Sequence, residues 1–226
     1  MKRILGLAAT AALVGVIQAQ GQSVLFTFSD ATSDGWEASG FGNSPAAPVV
    51  TISAYNYISL PLGSYQVGNV NSTTVSGAPA ATFNAAMYAA INNPAGYNLT
   101  YDYYINTATF TTAGTYLQLG SLINMGGGYY GSTGTPSAYE PQFNGTQVAS
   151  GSVFSGSVTV PFTAYGTDPS AATETYFRLG LIINGNGTGV NVDYTNISIS
   201  PVPEPGSLAL IGLGMASLIM VRRRHS

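Results

Sequence analysis

Between residues 20 and 200 the side chains able to trade protons near neutral pH are all carboxylates: Asp30, Asp34, Glu37, Asp102, Glu140, Asp168, Glu174 and Asp193. The single histidine, His225, lies at the extreme C-terminus, cysteine is absent, and the only lysine is Lys2. Ser-His-Asp and Cys-His arrangements, Schiff-base lysines and His-based zinc sites therefore have no residues to build on in this region. What stays open is hydrolysis by two carboxylates, in which Glu37, Glu140 or Glu174 would pair with an aspartate at the separations glycosidases use, ~5 Å or ~6.5–9.5 Å. Nothing in the sequence marks such a pair as held in one pocket, and the region is expected to be non-enzymatic.

Binding chemistry is better supplied. The chain has 15 tyrosines and one tryptophan, and flat aromatic faces beside polar groups suit sugar rings as well as they suit a β core. Tyr101 and Tyr103 alternate with polar residues and are expected to face the core. Tyr129, Tyr130 and Tyr139 fall among Gly, Ser and Pro and are the candidate glycan contacts; Gly126 to Gly131 reads as a flexible loop, since it lacks the Lys-Ser/Thr of a phosphate loop. Trp36 is expected to cover the core. Five Asn-x-Ser/Thr triplets, starting at Asn71, Asn98, Asn144, Asn186 and Asn196, are read as composition. With Arg178 the only cation against eight acids, 1 − 8 gives residues 20–200 a net charge of −7. That sign repels phosphate backbones, so nucleic acid is not an expected partner.

The elements that would position these residues are strands. Apolar residues alternate in short stretches at Val24–Phe28, Val49–Ser53, Tyr57–Leu62, Leu99–Ile105, Tyr116–Ile123, Val158–Phe162, Tyr176–Ile183 and Val190–Ile199, separated by turn residues. Seven or more such strands, each with one apolar face to bury, predict an all-β fold, an antiparallel β-sandwich. Burial must hold it, since no disulfide can. The last two stretches, joined by Asn184-Gly185-Asn186-Gly187-Thr188-Gly189, predict a hairpin. In the final strand Val190, Val192 and Tyr194 are out of phase with Ile197 and Ile199, which predicts a bulge near Thr195 or Asn196. Phe83 to Ile91 fits a short helix or an irregular strand equally.

Both ends are read as targeting segments. Lys2-Arg3, an apolar run from Ile4 to Ile17 and Gln18-Ala19-Gln20 follow the order of a signal peptide, a signal helix over residues 1–19. At the other end Val202-Pro203-Glu204-Pro205 is followed by 16 residues without a charge, Gly206 to Val221, and then by Arg222, Arg223 and Arg224. The run would reach ~24 Å as a single transmembrane helix, with the arginines on the cytoplasmic side.

Those three parts in that order resemble the PEP-CTERM sorting signal. The resemblance covers residues 201–226 and implies an exported protein recognised by an exosortase, a membrane-embedded transpeptidase of Gram-negative bacteria that make extracellular polysaccharide. Processing near the Pro-Glu-Pro element would place residues 20–200 at the cell surface or in the extracellular matrix, anchored in the inner membrane before processing. More weakly, Phe26-Thr27-Phe28-Ser29-Asp30 with Asp34-Gly35-Trp36, and Val190 to Ile197, resemble the first and last strands of carbohydrate-binding-module-like jelly rolls. That resemblance implies a lectin-like module, and a structural calcium held by Asp30 and Asp193. It departs at Ser29, where an acidic residue is frequent, and calcium wants six to eight oxygens. No other cofactor is expected, and contact with extracellular polysaccharide is.

Overall fold

The computed structural model describes residues 21–38, 46–62, 66–109, 116–125, 128–131, 138–144, 151, 153–166, 176–186 and 189–203. The signal segment, the apolar run of the tail and its three arginines lie outside these residues, as do Asp168 and Glu174. No helix among the described residues is long and apolar enough to cross a membrane.

Among the described residues, eleven strands form two antiparallel sheets. In chain order they are β1 (Val24–Phe26), β2 (Val49–Ile52), β3 (Tyr55–Pro61), β4 (Gln66–Asn71), β5 (Tyr97–Asn106), β6 (Tyr116–Met125), β7 (Gly128–Gly131), β8 (Gln142–Asn144), β9 (Val153–Pro161), β10 (Phe177–Gly185) and β11 (Asn191–Pro201). The six-stranded sheet runs β2-β3-β11-β5-β9, with β1 also paired to β11; the five-stranded sheet runs β4-β10-β6-β7, with β8 also on β6. Alternation explains the layers. In β5 Leu99, Tyr101 and Ile105 are buried while Thr100 and Asp102 are partly exposed, and in β10 Phe177, Leu179, Leu181 and Ile183 turn inward. The two inner faces form one continuous apolar core.

Where they meet, space is short. A Cβ on Gly68 in β4 would stand 2.2 Å from the Leu60 side chain of β3 in the opposite sheet, so glycine there sets how closely the layers approach.

Phe83–Asn92 is a helix, α1, which settles the ambiguity left by its four-residue spacing. Phe83, Ala86, Met87, Ala90 and Ile91 make one buried stripe against the core, and alanine elsewhere favours the helical state. Asn93 precedes Pro94, which discourages continuation.

The hairpin expected between β10 and β11 does not form. β10 pairs with β4 and β6, whereas β11 pairs with β3, β5 and β1, so the glycine-rich connection carries the chain from one sheet to the other. Each strand is flanked on both sides within its own sheet, and the turn residues that suit a hairpin serve a crossing between layers equally well. The bulge in β11 is present. Thr195 faces Asp102 and Ser198 faces Thr100, so three steps on β11 oppose two on β5, with Asn196 at φ 49°. Asparagine tolerates that conformation, and the extra residue brings Val192, Tyr194, Ile197 and Ile199 all to full burial.

Candidate functional site

The outer face of the five-stranded sheet breaks the usual rule that a strand's second face carries whatever solvent tolerates. Residues opposite one another share a face: Asn71–Arg178–Asn124 and Asn184–Gln118–Gln142 line up as polar rows across it, Glu37–Asn69–Gly180 runs on to the buried Leu122, and Val67–Ile182–Gly120 forms an apolar row. Glu37 joins through reciprocal backbone hydrogen bonds, its N–H donating to the Asn69 carbonyl at 2.8 Å and the Asn69 N–H donating back at 3.1 Å.

Arg178 lies 5.7 Å from the ring centroid of Tyr176, a cation–π contact, and the Asn184 amide donates to Gln118 Oε1 at 3.0 Å. Asn124 Oδ1 and Glu37 Oε2 are shut off from solvent with no hydrogen-bond partner in the structure. Buried acceptors left in that state carry a desolvation cost. The arrangement supplies amides, a carboxylate, a guanidinium and an aromatic ring on one surface, which is hydrogen-bonding and stacking chemistry.

The candidate glycan contacts sit at its margin. Tyr129 and Tyr130 belong to β7, opposite Asn124 and Ile123; the flexible loop expected for Gly126 to Gly131 is therefore, from Gly128 on, a strand. Period-two reading missed it because glycines flank only two side chains. Tyr139 is 49% exposed, and its neighbour Glu140 explains how that turn is held.

Along one edge of β6, β8 covers Tyr116–Gln118 and β7 covers Leu122–Met125, and Glu140 fills the gap between them at 5% exposure. Its Oε1 accepts from Ser121 Oγ at 2.5 Å and from the Tyr101 hydroxyl at 3.2 Å, and Ser121 Oγ is 2.5 Å from the Tyr165 hydroxyl. Since Ser121 has one proton and gives it to Glu140, Tyr165 is the donor to Ser121. Burial first, then the nearby carboxylate, pushes the Tyr101 and Tyr194 hydroxyls well above the usual phenol range. Tyr101 and Tyr165, whose hydroxyl burial also raises, thus stay protonated donors, whereas the Tyr194 hydroxyl is buried without a hydrogen-bond partner.

The two aspartates expected to share a calcium lie in different surroundings. Asp30, in the turn after β1, accepts from Thr32 N at 3.0 Å and Thr32 Oγ1 at 2.7 Å, and these bonds hold its carboxyl below the usual value. Asp34 accepts from the same hydroxyl at 3.4 Å, and burial, then the charge of Asp30, raises its carboxyl. Asp193 stands instead on the outer face of the six-stranded sheet, opposite Ser59 and Tyr104. No cluster of three or more His, Cys, Asp or Glu occurs among the described residues. Trp36 is fully buried, edge-on to Phe26 at 5.7 Å, as core cover.

Asp193 carries a testable pH signature. Burial raises its carboxyl, with a Ser59 hydrogen bond opposing. A carboxyl raised in the folded state binds its proton more tightly there than in the unfolded chain, so stability falls as pH climbs from the unfolded value, ~3.9, through the raised one. Asp193→Asn should therefore raise the thermal midpoint at pH 7, with the gain shrinking below about pH 4, where aspartate is protonated in both states. Circular-dichroism melts across pH check this, and a gain that grows in acid would contradict it.

Residues 201–224 match the PEP-CTERM protein-sorting motif. No curated protein matches the chain. Among solved structures, the sandwich is similar to CBM28, a carbohydrate-binding module specific for non-crystalline cellulose, at TM-score 0.51 and 10% identity over 78% of this chain and 94% of that one. It is also similar to the CBM22-1 xylan-binding domain from Paenibacillus barcinonensis, at TM-score 0.42 and 10% identity over 81% and 97%. A third is TmCBM27, a module that recognises mannan, at TM-score 0.41 and 12% identity over 82% and 98%. The likeness to CBM28 is one of fold, and it accords with the jelly-roll resemblance of the terminal strands.

Proposed function

We propose that this chain is an exported, non-enzymatic surface or matrix protein whose sandwich binds polysaccharide through the outer face of its five-stranded sheet. The observation that carries the reading is that face itself: the polar row Asn71–Arg178–Asn124 across β4, β10 and β6, the row Asn184–Gln118–Gln142 beyond it, and the Arg178 guanidinium over the Tyr176 ring. The fold shared with carbohydrate-binding modules supports it, as does the sorting motif, which implies delivery to where polysaccharide is. Tyr129, opposite Asn124, and the exposed Tyr139 would extend the contact at the sheet edge, whereas Tyr130 stands opposite the core residue Ile123.

The purified full-length chain in mild detergent, run by affinity electrophoresis through a panel of soluble polysaccharides, tests this. Retention on at least one polymer is expected. Arg178→Ala with Asn124→Ala should weaken it by about tenfold, the loss of a cation–π contact and one or two hydrogen bonds. Passage through every polymer without retardation would sink the reading.

The tail supplies the destination. An exosortase would engage Val202, Pro203, Glu204 and Pro205 while the apolar run holds the chain in the inner membrane and Arg222, Arg223 and Arg224 fix its orientation. In a host encoding an exosortase, the mature protein should have lost the mass of the terminal segment, and alanine at Pro203, Glu204 and Pro205 should leave it full-length. An unshortened wild-type protein in that host would contradict processing. A structural calcium would draw on Asp30 and Asp193, with Asp34 beside Asp30 at Thr32.

A further inference from the structure

The opposite face of the sandwich holds a group of side chains that the polysaccharide reading does not use. On β3, β11 and β5, the residues Tyr57, Ser59, Asp193, Tyr104 and Asp102 share the outer face of the six-stranded sheet, because Asp193 lies opposite both Ser59 and Tyr104 and the others follow at two-residue steps. β3 and β5 flank β11, so their backbones are about 9.6 Å apart. The ring centroids of Tyr57 and Tyr104 are only 6.4 Å apart, with an interplanar angle of 56°. The rings therefore lean toward each other over β11, as a half-open pair rather than a closed stack. Both rings are partly exposed, and Tyr55, two residues from Tyr57 on the same face, is 62% exposed.

Two carboxylates belong to this group. Asp193 Oδ1 is closed to solvent and has no hydrogen-bond partner in the structure. Asp102 is held in place from both sides: Ser157 Oγ donates to its Oδ1 at 2.5 Å, and the Asn196 amide donates to its Oδ2 at 2.7 Å. Asn196 reaches it because the bulge of β11 puts that residue at φ 49°, so the backbone irregularity and the fixed carboxylate go together. The nearness of both charges to the rings shows in Tyr57, whose hydroxyl is raised first by burial and then by Asp102, Tyr55 and Asp193. Two aromatic rings with two carboxylates and no cation is the chemistry that receives an ammonium group, through ring faces and charge together. The domain's net charge of −7 steers the same class of ligand toward it.

We propose that Tyr57, Tyr104, Asp193 and Asp102 form a second binding site, on the face opposite the polar rows, for a sugar bearing a free amine, as in a deacetylated amino-sugar polymer. The rings stack on the pyranose, and its ammonium group donates to Asp193 with Asp102 adding charge.

Calorimetric titration of the full-length chain in mild detergent, with glucosamine oligomers and N-acetylglucosamine oligomers of equal length, tests the site. The amine form should bind about tenfold tighter or more, and the preference should collapse as salt is raised toward roughly 0.5 M. Asp193→Asn should weaken amine binding by about tenfold, as should Tyr104→Ala, with Tyr104→Phe restoring most of it. The emission of Trp36 reports that each variant is folded. Equal binding of the two oligomers, or Asp193→Asn without effect, overturns the proposal; so does binding of polylysine with none of the amino-sugar oligomers, which would mark a protein-facing surface instead. Retention of neutral polysaccharide, read in the Arg178→Ala variant, concerns the other face, so the two readings fail separately.

Discussion

Phe26→Ala should destabilise the protein by about 3–5 kcal/mol, the range for truncating a buried phenylalanine. Phe26 is fully buried and touches three other rings: Trp36 edge-on at 5.7 Å, Phe83 of α1 at 6.2 Å and Phe28 at 6.4 Å. β1 has only three residues and one partner strand, pairing at Val24–Ile199, Leu25–Ser198 and Phe26–Ile197. Its hold on the molecule thus depends on what Phe26 buries, and the same side chain seats α1 and the Trp36 turn. The cavity cannot close easily, because each neighbour is itself a rigid ring or a strand fixed by its ladder. Urea unfolding followed by the emission of Trp36, the only tryptophan, gives the number. A loss below about 1 kcal/mol would mean that this cluster is not a keystone of the core.

Glu140→Ala is expected to cost about 2–4 kcal/mol, by a different mechanism. Removing the carboxylate strips the acceptor from Ser121 and Tyr101, and each buried hydroxyl left without a partner costs roughly 1–3 kcal/mol. Tyr165 can still donate to Ser121, which keeps the total below the sum. Glu140→Gln retains an acceptor oxygen of the same reach and should cost about 1 kcal/mol, the difference between a charged and a neutral acceptor. A second readout separates anchoring from plain stability. If Glu140 holds the turn that presents Tyr139, Glu140→Ala should make the backbone near residues 138–141 exchange amide hydrogen faster under native conditions, beyond the global change. Faster exchange spread evenly over the sandwich would argue against that local role.

Much of the architecture could be read from residue order because the rules involved are local. Alternation in β5, β6, β10 and β11 identifies strands and their buried faces, since a two-residue period has only one way to bury its apolar half. The phase slip between Tyr194 and Ile197 forces a bulge for the same reason, and the bulge is there. Short or glycine-rich strands gave no such signal: β4, with Gly68 between Val67 and Asn69, along with β7 and β8, takes its extended form from neighbouring ladders rather than from its own pattern.

The candidate sites divide in the same way. Glu140 is one carboxylate among eight between residues 20 and 200, and nothing about Tyr139-Glu140-Pro141 announces a buried acceptor. Its role arises because β7 and β8 leave a gap on the edge of β6, beside hydroxyls from β5, β6 and the turn at Tyr165. Asp30 lies in the turn after β1, and Asp193 on β11, the strand that β1 pairs with. Asp30 is held by Thr32 in that turn, and Asp193 lies opposite Ser59 and Tyr104 on the six-stranded sheet.

The sequence by itself determined the sorting tail, the all-β class, the inward-facing residues of the long strands and the missing catalytic residue types, because each depends on composition or on neighbours a few positions apart. Tertiary structure alone decided which strands meet. It separated β10 from β11 into different sheets, set Arg178 and Asn124 in one row, and leaned Tyr57 and Tyr104 together over Asp193. Those contacts join residues up to about a hundred positions or more apart in the chain, and they are fixed by how two sheets bury their apolar faces against each other, which no local pattern encodes.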